Sequence, residues 1–211
     1  MNSIIRRPFP YTYKTYTLII ILVNVAVFLA GKVWPAIDYY LALNTYNCLA
    51  GRMWWQPFTY MFVHGNFQHL FFNMLGLFIF GTSVERAIGS REFLLMYLTV
   101  GVLGGVTSLL VYFFTGMYLV YLLGASGAIY GILFAYAVIF PKNRIFIWGI
   151  IPVPSPILVI AYAVIEVLSQ FTGTRSGVAH MTHLAGFAFA FLYFVIRMGV
   201  NPIKVWKDAY R

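Results

Sequence analysis

Three short stretches of this 211-residue chain hold side chains suited to breaking a covalent bond. The first is Gly124-Ala-Ser126-Gly127-Ala-Ile-Tyr130-Gly131. A serine just inside a helix start, flanked by glycines, faces the amide dipoles of that terminus. Backbone N–H groups there are available to a developing oxyanion. Gly127 and Gly131 are four residues apart, a small-residue face that lets another helix approach closely; packing alone would also explain them. The second stretch is His180-Met-Thr-His183-Leu-Ala-Gly186-Phe-Ala-Phe-Ala190. His183, Gly186 and Ala190 fall at i, i+3 and i+7, so the histidine shares a helix face with two small residues. Pressed against the Gly127/Gly131 face, that face brings His183 near Ser126. The third is His64-Gly-Asn66-Phe-Gln68-His69-Leu-Phe-Phe-Asn73. His69 and Asn73 lie one turn apart on one face, two donors that could form an oxyanion hole or a plain interhelical clasp.

Together these types describe acyl transfer by an activated serine. A third triad member is not evident. The aspartates are Asp38 and Asp208, and the glutamates Glu85, Glu92 and Glu166. None is adjacent to His183 in sequence, so a Ser126–His183 dyad is the simpler assignment. Glu166 reads as a polar residue near a helix end, with a minor claim to a catalytic place. A metal site would draw on the four histidines, which fall in two pairs, His64/His69 and His180/His183. No acid joins them in sequence and neither pair has the HExxH pattern, so no metal and no cofactor is expected.

The elements that must carry these residues are apolar. Hydrophobic residues make up 62% of the chain, charged residues 9%, and mean hydropathy is +0.83. A soluble domain is near a quarter charged, so the expectation is an all-α polytopic membrane protein, a six-helix bundle forming one domain over residues 1–211. The six spans are expected at about Tyr16–Trp34, His69–Val84, Phe93–Phe114, Ser126–Phe140, Ile145–Gln170 and Val178–Met198. The second and fourth are short and begin with polar or glycine-rich residues, which pure lipid does not tolerate, so both point to one cavity. Residues 1–15 do not read as a cleavable leader. The single cysteine, Cys48, leaves no internal disulfide.

A net charge of +9 suggests nucleic acid in a soluble protein, but here the charges sit at the ends of apolar runs and no nucleic-acid partner is expected. Arg6, Arg7, Lys14, Arg86, Arg91, Lys142, Arg144, Arg197, Lys204, Lys207 and Arg211 fall on one side, against Lys32, Arg52 and Arg175 on the other. The positive-inside rule then makes both termini cytoplasmic. The stretch 35–68, rich in Trp54, Trp55, Phe58 and Tyr60, lies along the outer interface. From Ser126 to Pro141 is fifteen residues, about 22 Å of helix. Ser126 therefore sits roughly 8 Å below the outer edge of a ~30 Å core. A nucleophile there is inside the membrane yet reachable by water.

On these motifs the chain resembles the rhomboid family of intramembrane serine proteases, in its minimal six-helix bacterial form. Gly124-Ala-Ser126-Gly127 with Tyr130 and Gly131 is similar to the family's nucleophile motif. His64, His69 and Asn73 match its second-helix pattern, and His183-Leu-Ala-Gly186 its catalytic histidine and following glycine. Glu85-Arg86-Ala-Ile-Gly89-Ser90 is similar to its turn into the third helix. The resemblance implies Ser126 as nucleophile and His183 as general base, with His69, Asn73 and the Ser126 amide as oxyanion donors. It implies Tyr130 stacked on His183, Gly124 in the loop shaping the hole, and His64 as a supporting hydrogen bonder. It further implies transmembrane protein substrates in a lipid bilayer, entering between spans 2 and 5 under a lid before span 6. The length suggests a prokaryotic plasma membrane. Departures are Trp55-Gln56 where Trp-Arg is common, Ala190 where glycine is common, and the extra His180. Catalytically dead relatives are expected to lose the serine or the histidine, and both are kept.

Overall fold

The computed structural model describes Arg6 and residues 8–147, 149–170 and 177–211, with the backbone alone at 177–179. Seven helices organise the described chain. They are α1 (Tyr16–Val33), α2 (Phe67–Ile88), α3 (Ser90–Phe114), α4 (Ser126–Ile139), α5 (Ser155–Ser169), α6 (Gly177–Tyr193, with a π turn over Phe194–Met198) and the short α7 (Pro202–Ala209). Tyr16–Val33, Phe67–Ile88, Ser90–Phe114 and His180–Met198 are long and apolar enough to cross a membrane, while α4 and α5 are shorter apolar helices.

The run expected as one helix over Ile145–Gln170 is divided. Arg144–Ile147 and Ile151–Pro154 form an antiparallel hairpin, β3–β4, and the helix starts only at Ser155. The reason is local: Pro152 and Pro154 lack the amide donors of a helix interior, and Gly149 turns the chain at φ +72°. The second helix begins at Phe67 rather than His69, because the Asn66 side chain accepts from the His69 amide and caps it there. It runs on to Ile88, past the expected Val84, and Gly89 at φ +85° separates it from α3, which opens at Ser90 rather than Phe93. The expected lid before the sixth span falls largely on 171–176 and lies outside the described residues, as do Arg7 and Arg175.

Helix α4 is the core of the bundle. Ten of its 14 residues are buried, and α2, α3, α5 and α6 pack around it. A helix enclosed on all sides is apolar on all sides, which is why its sequence shows no polar stripe. Its approach to α6 depends on small residues. A methyl group at Gly186 would lie 2.2 Å from the Gly127 carbonyl oxygen, and one at Gly131 would lie 3.2 Å from the Gly186 oxygen.

The segment before α2 reaches over the same end of the bundle. The Tyr60 phenol donates to the Gly101 carbonyl of α3 at 2.8 Å, and the Tyr60 carbonyl accepts from Gly124 at 3.0 Å. Strand β1 (Leu43–Asn44) pairs with β2 (Tyr121–Leu122), tying this segment to the chain just ahead of Ser126. Gln56, fully buried, accepts from the Asn44 amide at 3.0 Å and donates to the Tyr39 carbonyl at 3.0 Å. It fixes this fold-back without any charge.

At the opposite end, carboxylates clamp the helices. Glu85 accepts from the Tyr16 and Thr17 amides at 2.6 and 2.9 Å, satisfying the free donors that open α1. Glu92 is paired with Arg197 at 2.8 Å and also takes the Tyr193 hydroxyl, joining α3 to α6. Trp206 of α7 donates to the Ala137 carbonyl at 2.9 Å, capping one of the last carbonyls of α4.

Candidate active site

Ser126 is the first residue of α4, and His183 lies on α6 one turn before Gly186. Because α4 and α6 touch at Gly127 and Gly186, the two side chains meet: His183 Nε2 is 2.7 Å from Ser126 Oγ. That is hydrogen-bond contact between a hydroxyl and a base. The His183 ring lies flat on Tyr130, with centroids 4.2 Å apart and planes 9° apart.

On the far side of the ring stands Glu166 of α5. Its Oε1 is 2.8 Å from His183 Nδ1 and accepts the Tyr130 hydroxyl at 2.5 Å, while Oε2 contacts His180 Nδ1. Sequence distance does not report this contact. Forty residues separate Ser126 from Glu166, yet one imidazole touches both. One signal was available: a lone acid inside an apolar span is costly and demands a partner. His180 and His183, three apart on a neighbouring helix face, were the partners to consider.

His69 and Asn73 stand on α2 across from Ser126. Together with Gly124, Ser126 and His183 they line a cavity of about 230 Å³. Asn73 donates one amide hydrogen to the His69 carbonyl at 2.8 Å, which leaves its second for a ligand. Gly124, at φ +115°, passes so close to His69 that an added methyl would lie 2.7 Å from the ring. Ser126 and Asn73 also border a larger cavity of about 610 Å³ that extends between α2 and α5, past Phe72, Tyr130 and Tyr162, to Phe146 of β3.

His64 packs edge-on against His69 with ring centroids 5.0 Å apart, and neither of its buried ring nitrogens has a hydrogen-bond partner among the described residues. Burial, reinforced by His69, lowers its pKa from 6.5 to about 4. It lies beside His69, outside the lining of the cavity that Ser126 borders.

Glu166, His180 and His183 bring ligand-capable atoms within 4.8 Å of one another. The sequence argument against a metal, that no acid accompanies the histidines, therefore fails in three dimensions. Two histidines and a carboxylate suit zinc, but here the three groups are bonded to one another and to Ser126 and Tyr130.

A family model described as the Rhomboid domain matches residues 51–199, a stretch that contains every side chain of this site. The chain belongs to the rhomboid family. It is 40% identical over 98 residues to the rhomboid protease GluP of Bacillus subtilis, covering 46% of this chain and 18% of that protein. With the putative rhomboid protease YdcA of the same organism the identity is 31% over 146 residues, 68% of this chain and 67% of the relative. With the rhomboid protease AarA of Providencia stuartii it is 29% over 196 residues, 81% and 68% respectively. The match thus spans between under a fifth and about two thirds of these relatives. Family membership and the apolar helices together make this rhomboid a multi-pass, mainly helical membrane protein.

Proposed function

We propose that the protein is an intramembrane serine endopeptidase that cleaves transmembrane helices of membrane protein substrates near the outer leaflet through a Ser126–His183 dyad. The observation that carries this is the 2.7 Å contact between Ser126 Oγ and His183 Nε2 at the end of an enclosed helix. The reading is of one domain over residues 1–211 with six crossings, both termini cytoplasmic, in a prokaryotic plasma membrane. Helices α4 and α5 hold 14 and 15 residues, about 21–23 Å, short of a ~30 Å core. The deficit in α4 falls where Ser126 opens onto the two cavities.

The chemistry proposed is acyl transfer, which the Ser126–His183 contact supports. As Ser126 Oγ bonds to the scissile carbonyl carbon, its proton passes to His183 Nε2, and the carbonyl electron pair moves onto oxygen. His69, Asn73 and the Ser126 amide hold that oxyanion. Collapse of the tetrahedral species breaks the C–N bond, and the departing amine takes the proton from His183. Water then adds to the acyl carbon, giving a proton to His183; the C–Oγ bond breaks, Ser126 Oγ takes that proton back from His183, and the carboxylic acid product leaves. A substrate helix approaches through the cavity between α2 and α5, and must unwind first, since a stable helix conceals its carbonyls. Substrates should accordingly carry small or helix-destabilising residues near their outer end; cleavage undiminished by strengthening that helix would contradict this.

The test is labelling of the detergent-solubilised protein with a fluorophosphonate probe, alongside cleavage of a transmembrane reporter in liposomes. Wild type should label and cleave, Ser126→Ala and His183→Ala should do neither, and chelators should change nothing. Normal turnover by folded Ser126→Ala would overturn the reading. The cluster of Glu166, His180 and His183 supports a second, metal-dependent reading. Loss of cleavage in chelator, restored by zinc, would favour it.

A further inference from the structure

We propose that Glu166 is a positioning residue for His183, so that the working unit is a Ser126–His183–Glu166 triad built from three helices. This rests on the serine protease reading above and adds a member to its dyad. Both nitrogens of the His183 ring are engaged, Nε2 with Ser126 Oγ at 2.7 Å and Nδ1 with Glu166 Oε1 at 2.8 Å. An ionised carboxylate only accepts hydrogen bonds, and a neutral imidazole carries one N–H. The proton therefore belongs on Nδ1, which leaves the Nε2 lone pair for the Ser126 hydroxyl. Without the carboxylate the ring is free to protonate at Nε2, the tautomer that cannot act as base.

Two further contacts aim the carboxylate. Tyr130 both stacks on the His183 ring and donates to Oε1 at 2.5 Å, so one residue sets the plane of the imidazole and the oxygen it points to. His180 holds the other oxygen, Oε2, which fixes the rotation of the carboxylate about its own axis. Glu166 is only 5% exposed and is the one charged residue of its helix, a costly place for an acid unless it does something there. A clasp between α4, α5 and α6 would be complete with Tyr130 and His180 alone. The third bond, to the ring that touches Ser126, is what a clasp does not need. When His183 takes the serine proton, the resulting imidazolium lies beside a carboxylate in a low-dielectric setting, where the pair attracts strongly.

The experiment uses the full chain in liposomes, with a transmembrane reporter and fluorophosphonate labelling, and compares Glu166→Gln, Glu166→Asp and His180→Ala. Glu166→Gln should lower kcat by roughly 10²–10⁴-fold, as loss of the orienting acid does in a serine triad, with KM and thermal stability little changed. Glu166→Asp should recover part of the rate, and His180→Ala, which frees only one carboxylate oxygen, should lower kcat by less than Glu166→Gln does. In wild type labelled with ¹⁵N-histidine, NMR should show the His183 proton on Nδ1. Three results would overturn the proposal: Glu166→Gln turning over like wild type, Glu166→Gln and His180→Ala losing stability and rate in parallel, or His183 protonated on Nε2 at rest. The last needs no variant to fold. If Ser126→Ala and His183→Ala are inactive while Glu166→Gln is not, the dyad stands and only the third member falls. If Ser126→Ala itself cleaves, the serine reading falls with it.

Discussion

At the scale of single residues, the site separates groups that react from groups that stabilise charge or shape. Asn73 is proposed to be of the second kind. It has one amide hydrogen bonded to its own helix, and its side chain borders the cavity it shares with Ser126. Asn73→Ala should lower kcat about 10²–10³-fold, the usual loss of an oxyanion donor, while the melting temperature in detergent moves little. His64 makes a different prediction. With a folded pKa of about 4 against 6.5 unfolded, it is neutral in the fold, whereas the unfolded chain takes up its proton between those values. Stability from this residue is therefore complete above pH 6.5, declines as pH falls, and is fully lost below about pH 4. Lys32 and Asp38 face it across a small cavity and His69 lies against its ring, but none of these replaces a hydrogen-bond partner. Apparent melting temperatures measured at pH 7 and pH 5 should fall less in His64→Gln than in wild type. An equal fall would show that His64 is not the group responsible.

At the scale of elements, the distance between α4 and α6 decides whether the site exists. Gly186 faces the Gly127 carbonyl so closely that its methyl would sit at 2.2 Å, which forces the helices apart. Gly186→Ala should cost about 1–3 kcal/mol, typical of overpacking, read from denaturant unfolding in detergent. Activity should fall further than stability, because His183 lies one turn away on the same helix. Gly124→Ala acts through a loop instead. It sets a side chain at φ +115° and 2.7 Å from His69, so it should impair turnover by displacing that ring, the proposed oxyanion donor, while α4 and α6 stay in place. Separate losses of stability and turnover in the two variants would distinguish these routes. The β3–β4 hairpin is the element that the apolar pattern conceals. Its residues are as hydrophobic as a span, and only Gly149, Pro152 and Pro154 reveal the break.

For the whole molecule, the open prediction is orientation. The lone native thiol, Cys48, is buried and its pKa is raised to about 11 by that burial, so it should resist maleimide in the folded protein. That leaves introduced cysteines as clean reporters. In intact cells Arg52→Cys should label with an impermeant maleimide, and Asp208→Cys should label only after the membrane is opened. The reverse pattern would invert the topology and put Ser126 near the cytoplasmic leaflet.

Class and family were legible in one dimension. Composition and the length of apolar runs decide solvent, and the spacing of Gly127, Gly131, His183, Gly186 and Ala190 decides which helix faces can meet. Tertiary structure alone decided what lies behind the histidine. In a membrane, protein-facing and lipid-facing sides are both apolar, so no hydrophobic stripe reports how each helix is rotated or how deep it sits. The partners of Glu166 depend on that rotation and depth, as does the fold-back held by Gln56. Spacing along the chain carries neither quantity; only the packed bundle does.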